Sequence, residues 1–147
     1  MRALEQAGAP DGLAYLSIDL NGLKEVNDNS GHDAGDRLLL GAAECIKASF
    51  GERAKHYRIG GDEFVVLTDA PRAQLDQMIA DYEARTKKWS VDNAIPLSTA
   101  LGCVTRAETP GASVSELART ADERMYMAKA HYYCDSGLDR RRYTIAE

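Results

Sequence analysis

The sequence predicts an α+β fold of the ferredoxin-like type, with a central, mainly antiparallel sheet flanked by helices. Apolar, strand-like segments alternate with segments of helical periodicity in the order β-α-α-β-β-α-β-α. Two of the strands are joined directly by a short glycine-containing turn, as in a β-hairpin. The chain has 147 residues, 44% of them hydrophobic and 28% charged, which is ordinary for a globular domain. We therefore expect a single domain over residues 1–147.

The first half of the chain is predicted to supply one buried strand and two helices. The mostly apolar segment "LAYLSIDL", residues 13–20, is typical of a buried strand, and it ends near Asp19. "NGLKEVND" follows as a short helix and turn. Asp33 is placed to cap a longer helix that ends at Gly51. Helical spacing predicts four core positions in that helix: Leu39, Ala43, Ile46 and Phe50.

A hairpin and an amphipathic helix come next. Residues 55–59 and 64–67 are predicted to form two strands, joined through "GGDE" at residues 60–63. Pro71 stands at the start of a helix that we expect to run to Trp89, since proline is favoured in the first helical turn. These elements extend the predicted antiparallel sheet and cover one of its faces.

The last elements are a strand and a long helix. Residues 97–104, "LSTALGCV", have the composition of a strand. Ser113 and Glu116 have the spacing of a capping box, which predicts a helix from there to about Tyr133. The tail "GLDRRRYTI" would add an edge strand and bring the sheet to five strands.

Composition excludes several classes of protein. The net charge of −5 argues against a nucleic-acid partner, which would require a basic face. The three cysteines include no C-x-x-C pair, so a zinc site or a disulfide framework is not expected, and a reducing cytoplasm fits best. No apolar stretch approaches the roughly 20 residues of a membrane span, so we expect no membrane contact by this segment. The chain could still belong to a larger, membrane-anchored sensor protein.

Three acids mark the candidate site. Asp62 and Glu63 lie at the tip of the hairpin, and Asp19 ends the first strand. If that strand pairs with the hairpin, the three carboxylates converge, and they repel one another unless a hard cation lies among them. Mg²⁺ commonly bridges carboxylates to substrate phosphates, and two such ions support in-line phosphoryl displacement. The alternative is that "GGDE" is only a solvated turn, because glycines and acids are common in turns.

Two motifs together resemble one family. "RIGGDEF" at residues 58–64 looks like the signature loop of the GGDEF family, the diguanylate cyclases, and "DLNGLKEVNDNSGHDAGD" at residues 19–36 resembles its other signature. They occur in the family's order, and the resemblance is strongest over residues 13–133. It implies a nucleotidyl-cyclase palm that condenses two GTP molecules into cyclic di-GMP and releases pyrophosphate. It also implies catalysis across a homodimer, with the isolated chain monomeric and slow.

The resemblance implies a set of metal ligands. Asp19, the main-chain carbonyl of Leu20, Asp62 and Glu63 would hold two Mg²⁺ or Mn²⁺ ions per active site. Asp62 would also help to activate the 3′-hydroxyl group of the substrate.

The resemblance also implies substrate contacts, namely Gly60, Gly61, Asn27, Asp36 and Lys24, and it places Lys129 with Asp62 and Glu63 among the catalytic residues, as a phosphate lysine. The two glycines would let the phosphates approach the main chain, and the two lysines would contact those phosphates. Asn27 and Asp36 would recognise guanine, because an aspartate accepts hydrogen bonds from N1–H and N2–H₂, a donor pair that adenine lacks. Each residue has a structural alternative, such as a turn-forming asparagine, a first-turn helix acid or a solvated lysine.

Three features depart from the family's pattern. Tyr133 stands where the family often has an arginine, and Arg140, Arg141 or Arg142 could substitute for it. Gly51 and Ala54 occupy the key places of the R-x-x-D product-inhibition motif. The family's opening segment is not found before Arg2, so we expect a domain truncated at its N-terminus. Two alternatives stay open, a weakly active or inactive GTP-binding regulatory module and a dimerisation domain with a vestigial loop.

Overall fold

The computed structural model describes residues 12–136, with side chains to residue 134, and this range contains four strands and four helices. The strands are β1 (Ala14–Leu20), β2 (Ala54–Ile59), β3 (Glu63–Thr68) and β4 (Thr99–Thr105). The helices are α1 (Leu23–Ser30), α2 (His32–Phe50), α3 (Arg72–Asn93) and α4 (Val114–Ser136). Their order along the chain is the predicted one.

The four strands form a single antiparallel sheet in the order β2-β3-β1-β4. The predicted α+β fold with an antiparallel sheet and flanking helices is therefore confirmed. The described residues contribute four strands rather than five, and the predicted fifth strand in "GLDRRRYTI" lies outside them. No helix within residues 12–136 combines the length and the apolar character needed to cross a bilayer.

The alternation of side chains along β1 separates two cores. Leu16, Ile18 and Leu20 are fully buried on the face covered by α2 and α3. On the opposite face Leu13 and Tyr15 pack with the start of α4, and the same face then becomes polar. The polar positions on that face are therefore built into the period-2 geometry of the strand.

Helix α4 lies directly on the sheet because β4 has no side chain at Gly102. A Cβ atom there would collide with the main chain of α4 at the carbonyl of Ala121 and the amide of Met125. The close approach fixes the position of α4 along β4 and β1 and so the position of every side chain that the helix directs at β1.

One local prediction about α2 is wrong. Asp33 does not cap the helix, because α2 begins at His32 with Gly31 as the N-cap, and no side chain among the described residues caps it. The predicted core positions Leu39 and Ala43 do pack against the core, although both are half-buried. The buried residues from Leu38 onward include Leu38, Ala42, Cys45, Ile46 and Phe50. Ile46 and Phe50 are predicted core positions, whereas Leu38 and Ala42 each precede a predicted position by one residue. The run Leu38-Leu39-Leu40 is apolar throughout and leaves the helical phase undetermined by pattern alone.

The helix ends agree with the sequence signals more closely. Ser113 Oγ accepts a hydrogen bond from the Glu116 amide at 3.1 Å, and the Glu116 carboxylate accepts one from the Ser113 amide at 3.3 Å. The predicted capping box at the start of α4 is thus confirmed. Gly51 ends α2 with φ +65°, and Pro71 precedes α3 as predicted.

We expect Gly102→Ala to lower the free energy of unfolding by about 2–3 kcal/mol, because α4 must move away from β4 to accommodate the new methyl group. Urea denaturation measures the change. Gly12→Ala is the matched control, since its Cβ would meet only the Asp69 carbonyl oxygen at an ordinary 3.7 Å. Equal stability of the two variants would contradict the close approach of helix and strand.

Candidate functional site

Strand pairing brings the predicted acids to one end of the sheet. In the antiparallel register of β1 and β3, Asp19 lies opposite Glu63. One residue further, the Leu20 amide donates a hydrogen bond of 3.1 Å to the main-chain carbonyl of Asp62. The side chains of Asp19 and Glu63 therefore share the α4 face of the sheet, and Asp62, the last residue of the hairpin loop, lies beside them.

Lys129 of α4 reaches this end of the sheet. Its Nζ atom donates a hydrogen bond of 2.7 Å to the Leu20 carbonyl and lies 3.0 Å from Asp19 Oδ2. The residue is only 4% exposed. A buried ammonium group requires such compensation, since an unpaired charge away from water is costly. Lys129 thus binds two of the oxygen atoms predicted to be metal ligands.

The surroundings of the Asp19 carboxylate disfavour its charged form. Burial raises its pKa, the Lys129 ammonium opposes that rise, and the nearby Asp62 carboxyl group adds to it. Asp19 Oδ1 is buried and has no hydrogen-bond partner among the described residues. An oxygen atom of this kind calls for a further cation or donor at the same place.

Glu63 is directed toward a residue that the sequence analysis missed. Burial raises its pKa, and the carboxylate of Asp122 on α4 raises it further, ahead of Asp19 and Asp62. Asp122 in turn accepts a hydrogen bond from the hydroxyl group of Ser17, which is fully buried on β1. Asp122 and Lys129 are seven residues apart on one helix face, and this spacing is the signal that could have revealed the pair.

The same group of acids affects a neighbouring tyrosine. The pKa of Tyr15 is raised to about 12, first by burial and then by the charges of Asp122 and Glu63. The acidic potential therefore extends along the α4 face of β1, beyond the end of the strand.

The oxygen atoms at this end of the sheet suit a hard cation, although the described side chains do not form a complete metal-binding site. Within residues 12–134, no group of three or more His, Cys, Asp or Glu side chains is arranged to hold a metal ion. The Leu20 carbonyl, the unpartnered Asp19 Oδ1 and the Asp62 carboxylate are all oxygen donors of the kind that Mg²⁺ prefers. A site that uses three carboxylates, including Glu63, stays a prediction.

A cavity of about 210 Å³ opens beside these oxygens. Its lining joins β1, α1, the hairpin and α4: Asp19, Leu20, Leu23, Lys24, Asp62, Tyr126, Lys129 and Tyr133. The two predicted phosphate lysines, Lys24 and Lys129, therefore lie at the same cavity. Lys24 is exposed there, in contrast to Lys129.

Tyr133, which stands where the family often has an arginine, has a structural contact. Its hydroxyl oxygen accepts a hydrogen bond of 3.1 Å from the Gly22 amide at the start of α1, and its ring packs edge-on against Tyr132. The phenol thereby ties α4 to the first turn of α1. It supplies no positive charge to the cavity.

A second cavity, of about 350 Å³, lies next to the hairpin on the α2 side. Asp36 lines it together with Arg58, Phe64 and apolar residues of α2. Asn27 packs against Gly35, where a Cβ atom would collide with the Asn27 side chain, and Asn27 Oδ1 is buried without a partner within the described chain. The absence of a side chain at Gly35 thus lets Asn27 approach α2 beside Asp36.

The hairpin loop is open on its outer side. Gly60 has φ +71°, a conformation that favours glycine, and a Cβ at Gly60 or Gly61 would meet no described atom within 4 Å. Arg58 Nη2 donates a hydrogen bond of 2.7 Å to the Gly61 carbonyl and braces the loop. Both glycines are exposed, and contact of phosphates with their main chain stays a prediction.

We expect Glu63→Gln to raise the thermal unfolding midpoint near pH 7.5, by about 2–4 °C in buffer with a chelator. The folded-state pKa of Glu63 lies above its ordinary value of 4.5, so its charge destabilises the fold at neutral pH. The gain should disappear as the pH falls through the folded-state pKa toward 4.5. Melting curves at several pH values measure it, with the exposed Glu52→Gln as control. A pH-independent difference, or a loss of stability, would contradict this account.

Comparisons with known proteins agree with the geometry. The family described as "Diguanylate cyclase, GGDEF domain" matches residues 2–132. Diguanylate cyclase DgcS of Shewanella oneidensis is 30% identical over 118 residues, which are 80% of this chain and 39% of that protein. Diguanylate cyclase TpbB of Pseudomonas aeruginosa is 37% identical over 139 residues, covering 87% of this chain and 31% of that protein. The chain thus spans between 31% and 39% of the length of these two relatives.

A solved structure shows the same fold. It is that of a microbial GGDEF domain described in an interaction with cyclic di-GMP. It superposes with a TM-score of 0.71 at 28% identity, covering 87% of this chain and 80% of the other. The family match extends over most of the sequence and includes both motifs, so the predicted resemblance is confirmed. This chain belongs to the GGDEF family.

Proposed function

We propose that this domain binds GTP and that two copies together convert two GTP molecules into cyclic di-GMP and two pyrophosphates. One observation carries the proposal. Asp19, the Leu20 carbonyl, Asp62 and Lys129 meet at one end of the sheet, beside a cavity that Lys24 also lines. Carboxylates with an adjacent pair of lysines suit a triphosphate that arrives with a divalent cation.

Mg²⁺ or Mn²⁺, two ions per site, would be held by Asp19, the Leu20 carbonyl and Asp62, with Glu63 as the further carboxylate. Bound there, the ions would neutralise the phosphate charge that grows during the reaction. Asp19 contributes an oxygen with no other partner in the described chain, which supports its role as a ligand. Asp62 would also orient the 3′-hydroxyl group.

The phosphates would lie in the 210 Å³ cavity, against Lys24 and Lys129 and the open main chain at Gly60 and Gly61. Guanine would enter the 350 Å³ cavity that Asp36 lines, with Asn27 on the adjoining side. A carboxylate there accepts from the guanine N1–H and N2–H₂ groups and would be left unpaired by adenine. The base choice of the site would follow from that difference.

Catalysis would require a homodimer, at least transiently. Each copy presents one GTP, and each 3′-hydroxyl attacks the α-phosphorus of the opposite nucleotide. Two phosphodiester bonds form, two bonds between α- and β-phosphates break, and two pyrophosphates leave. The chain's contribution is largely positioning and charge stabilisation, because neither step needs covalent chemistry from the protein.

A second candidate function is a GTP-binding module with little or no turnover. Tyr133 favours it, because its hydroxyl group is bonded to the Gly22 amide and a phenol cannot replace an arginine fork on phosphate. The residues proposed as substitutes, Arg140, Arg141 and Arg142, lie outside the described range. GTP binding without cyclic di-GMP at high protein concentration would identify this second function.

The reaction is tested by fusing the chain to a dimeric coiled coil and assaying cyclic di-GMP formation from GTP and Mg²⁺. We expect product from the parent and a loss of at least about 100-fold in Asp62→Ala and Glu63→Ala, since each removes charge stabilisation at the reacting phosphate. Asp76→Ala is the control, because it removes only an exposed ion pair on α3. Near-parental turnover in either site variant would refute the assignment.

Base recognition is tested by calorimetry with GTP and ATP. We expect the parent to prefer GTP and Asp36→Ala to lose most of that preference, by about 10- to 100-fold, through weaker GTP binding. Asp33→Ala, on the same helix but outside the lining of the cavity, should keep the preference. Equal binding of GTP and ATP by the parent would contradict the role of Asp36.

A further inference from the structure

Lys129 occupies an unexpected place for a phosphate-binding lysine. Its ammonium group contacts the Leu20 carbonyl at 2.7 Å and Asp19 Oδ2 at 3.0 Å. Both oxygens belong to the proposed metal ligands. Two of the three ammonium donors are therefore directed at atoms that a divalent cation would also use.

Lys129 differs from Lys24 in this respect, although both line the same cavity. Lys129 is buried on α4, whereas Lys24 is exposed on α1. The ammonium group of Lys129 also offsets the rise that burial causes in the pKa of Asp19. Its role at Asp19 is the one that a bound cation would have.

A monovalent ammonium group and a divalent ion repel each other strongly at contact distance in a poorly hydrated site. The Leu20 carbonyl and Asp19 would therefore bind either the Lys129 ammonium group or the divalent ion as their principal partner. The Lys129 side chain has four rotatable methylene groups and lines the cavity, so it can leave these oxygens while α4 stays in place.

We propose that Lys129 is a built-in competitor for the metal at Asp19 and Leu20. It makes metal binding weak in the absence of nucleotide, and the triphosphate relieves the competition by accepting the released ammonium group. Metal and nucleotide thus bind with positive coupling, and Lys129 is the positioning residue that couples them. The inference rests on the proposed function, because it takes the triphosphate as the group that receives Lys129.

The experiment measures Mn²⁺ binding to the full chain by electron paramagnetic resonance, without nucleotide. We expect Lys129→Met to lower the Kd for Mn²⁺ about tenfold relative to the parent. Lys24→Met removes the same charge from the same cavity without vacating Asp19, and it should change the Kd by less than about threefold. In the double variant Asp19→Asn, Lys129→Met, the gain in Mn²⁺ affinity should be lost. That loss would show that the tighter Mn²⁺ binding is at Asp19.

A second titration includes a GTP analogue with a carbon bridge between its α- and β-phosphates. The analogue should tighten Mn²⁺ binding to the parent by at least about tenfold and tighten it much less in Lys129→Met. A purely structural lysine would not change this coupling. Lys129→Gln retains a hydrogen-bond donor for the Leu20 carbonyl and should give the same Mn²⁺ binding as Lys129→Met. It serves as a second variant if Lys129→Met does not fold. Circular dichroism with and without Mn²⁺ verifies the fold of each variant.

Two results would overturn the inference. One is unchanged or weaker Mn²⁺ binding in both Lys129 variants, and the other is an equal gain in Lys24→Met. Failure of the proposed function has a different signature, namely that the coiled-coil dimer makes no cyclic di-GMP and the parent binds no GTP analogue. In that case the nucleotide-free gain of Lys129→Met over Lys24→Met would still be measurable.

Discussion

The antiparallel register of β1 and β3 is the constraint on which the site depends. It places Asp19 opposite Glu63 and ties the Leu20 amide to the Asp62 carbonyl. A shift of one residue would turn Asp19 to the other face of the sheet, among the apolar side chains that pack against α2 and α3. The same pairing that buries Leu16 and Ile18 therefore also gathers the carboxylates.

Helix α4 supplies a positive charge, Lys129, and a further acid, Asp122, to this end of the sheet. Because Gly102 lets the helix lie on β4, Lys129 reaches Asp19 while Asp122 reaches Ser17 and the vicinity of Glu63. Burial and mutual repulsion raise the pKa values of Asp19 and Glu63, so these residues do not serve the stability of the fold. Functional sites commonly retain such unfavourable groups. Here the carboxylates that destabilise the fold are also the groups that could bind a cation.

Much of this arrangement could be predicted from the sequence, since the signals are local. Strand alternation, the glycine turn and the capping box at Ser113 give the order of elements, and the acids at strand ends give the candidate site. The core positions Ile46 and Phe50 of α2 follow from helical spacing, but the full burial of Leu38 rather than Leu39 does not, because three consecutive leucines carry no period. The partners of Lys129 and Tyr133 lie more than a hundred residues away in sequence, and only the packing of α4 reveals them.

The most direct test is the anomalous diffraction of crystals grown with Mn²⁺ and the carbon-bridged GTP analogue. We expect a manganese peak bounded by Asp19, the Leu20 carbonyl and Asp62, with Lys129 Nζ displaced onto a phosphate oxygen. A nucleotide bound elsewhere, or a manganese ion at the site with Lys129 still on the Leu20 carbonyl, would contradict it.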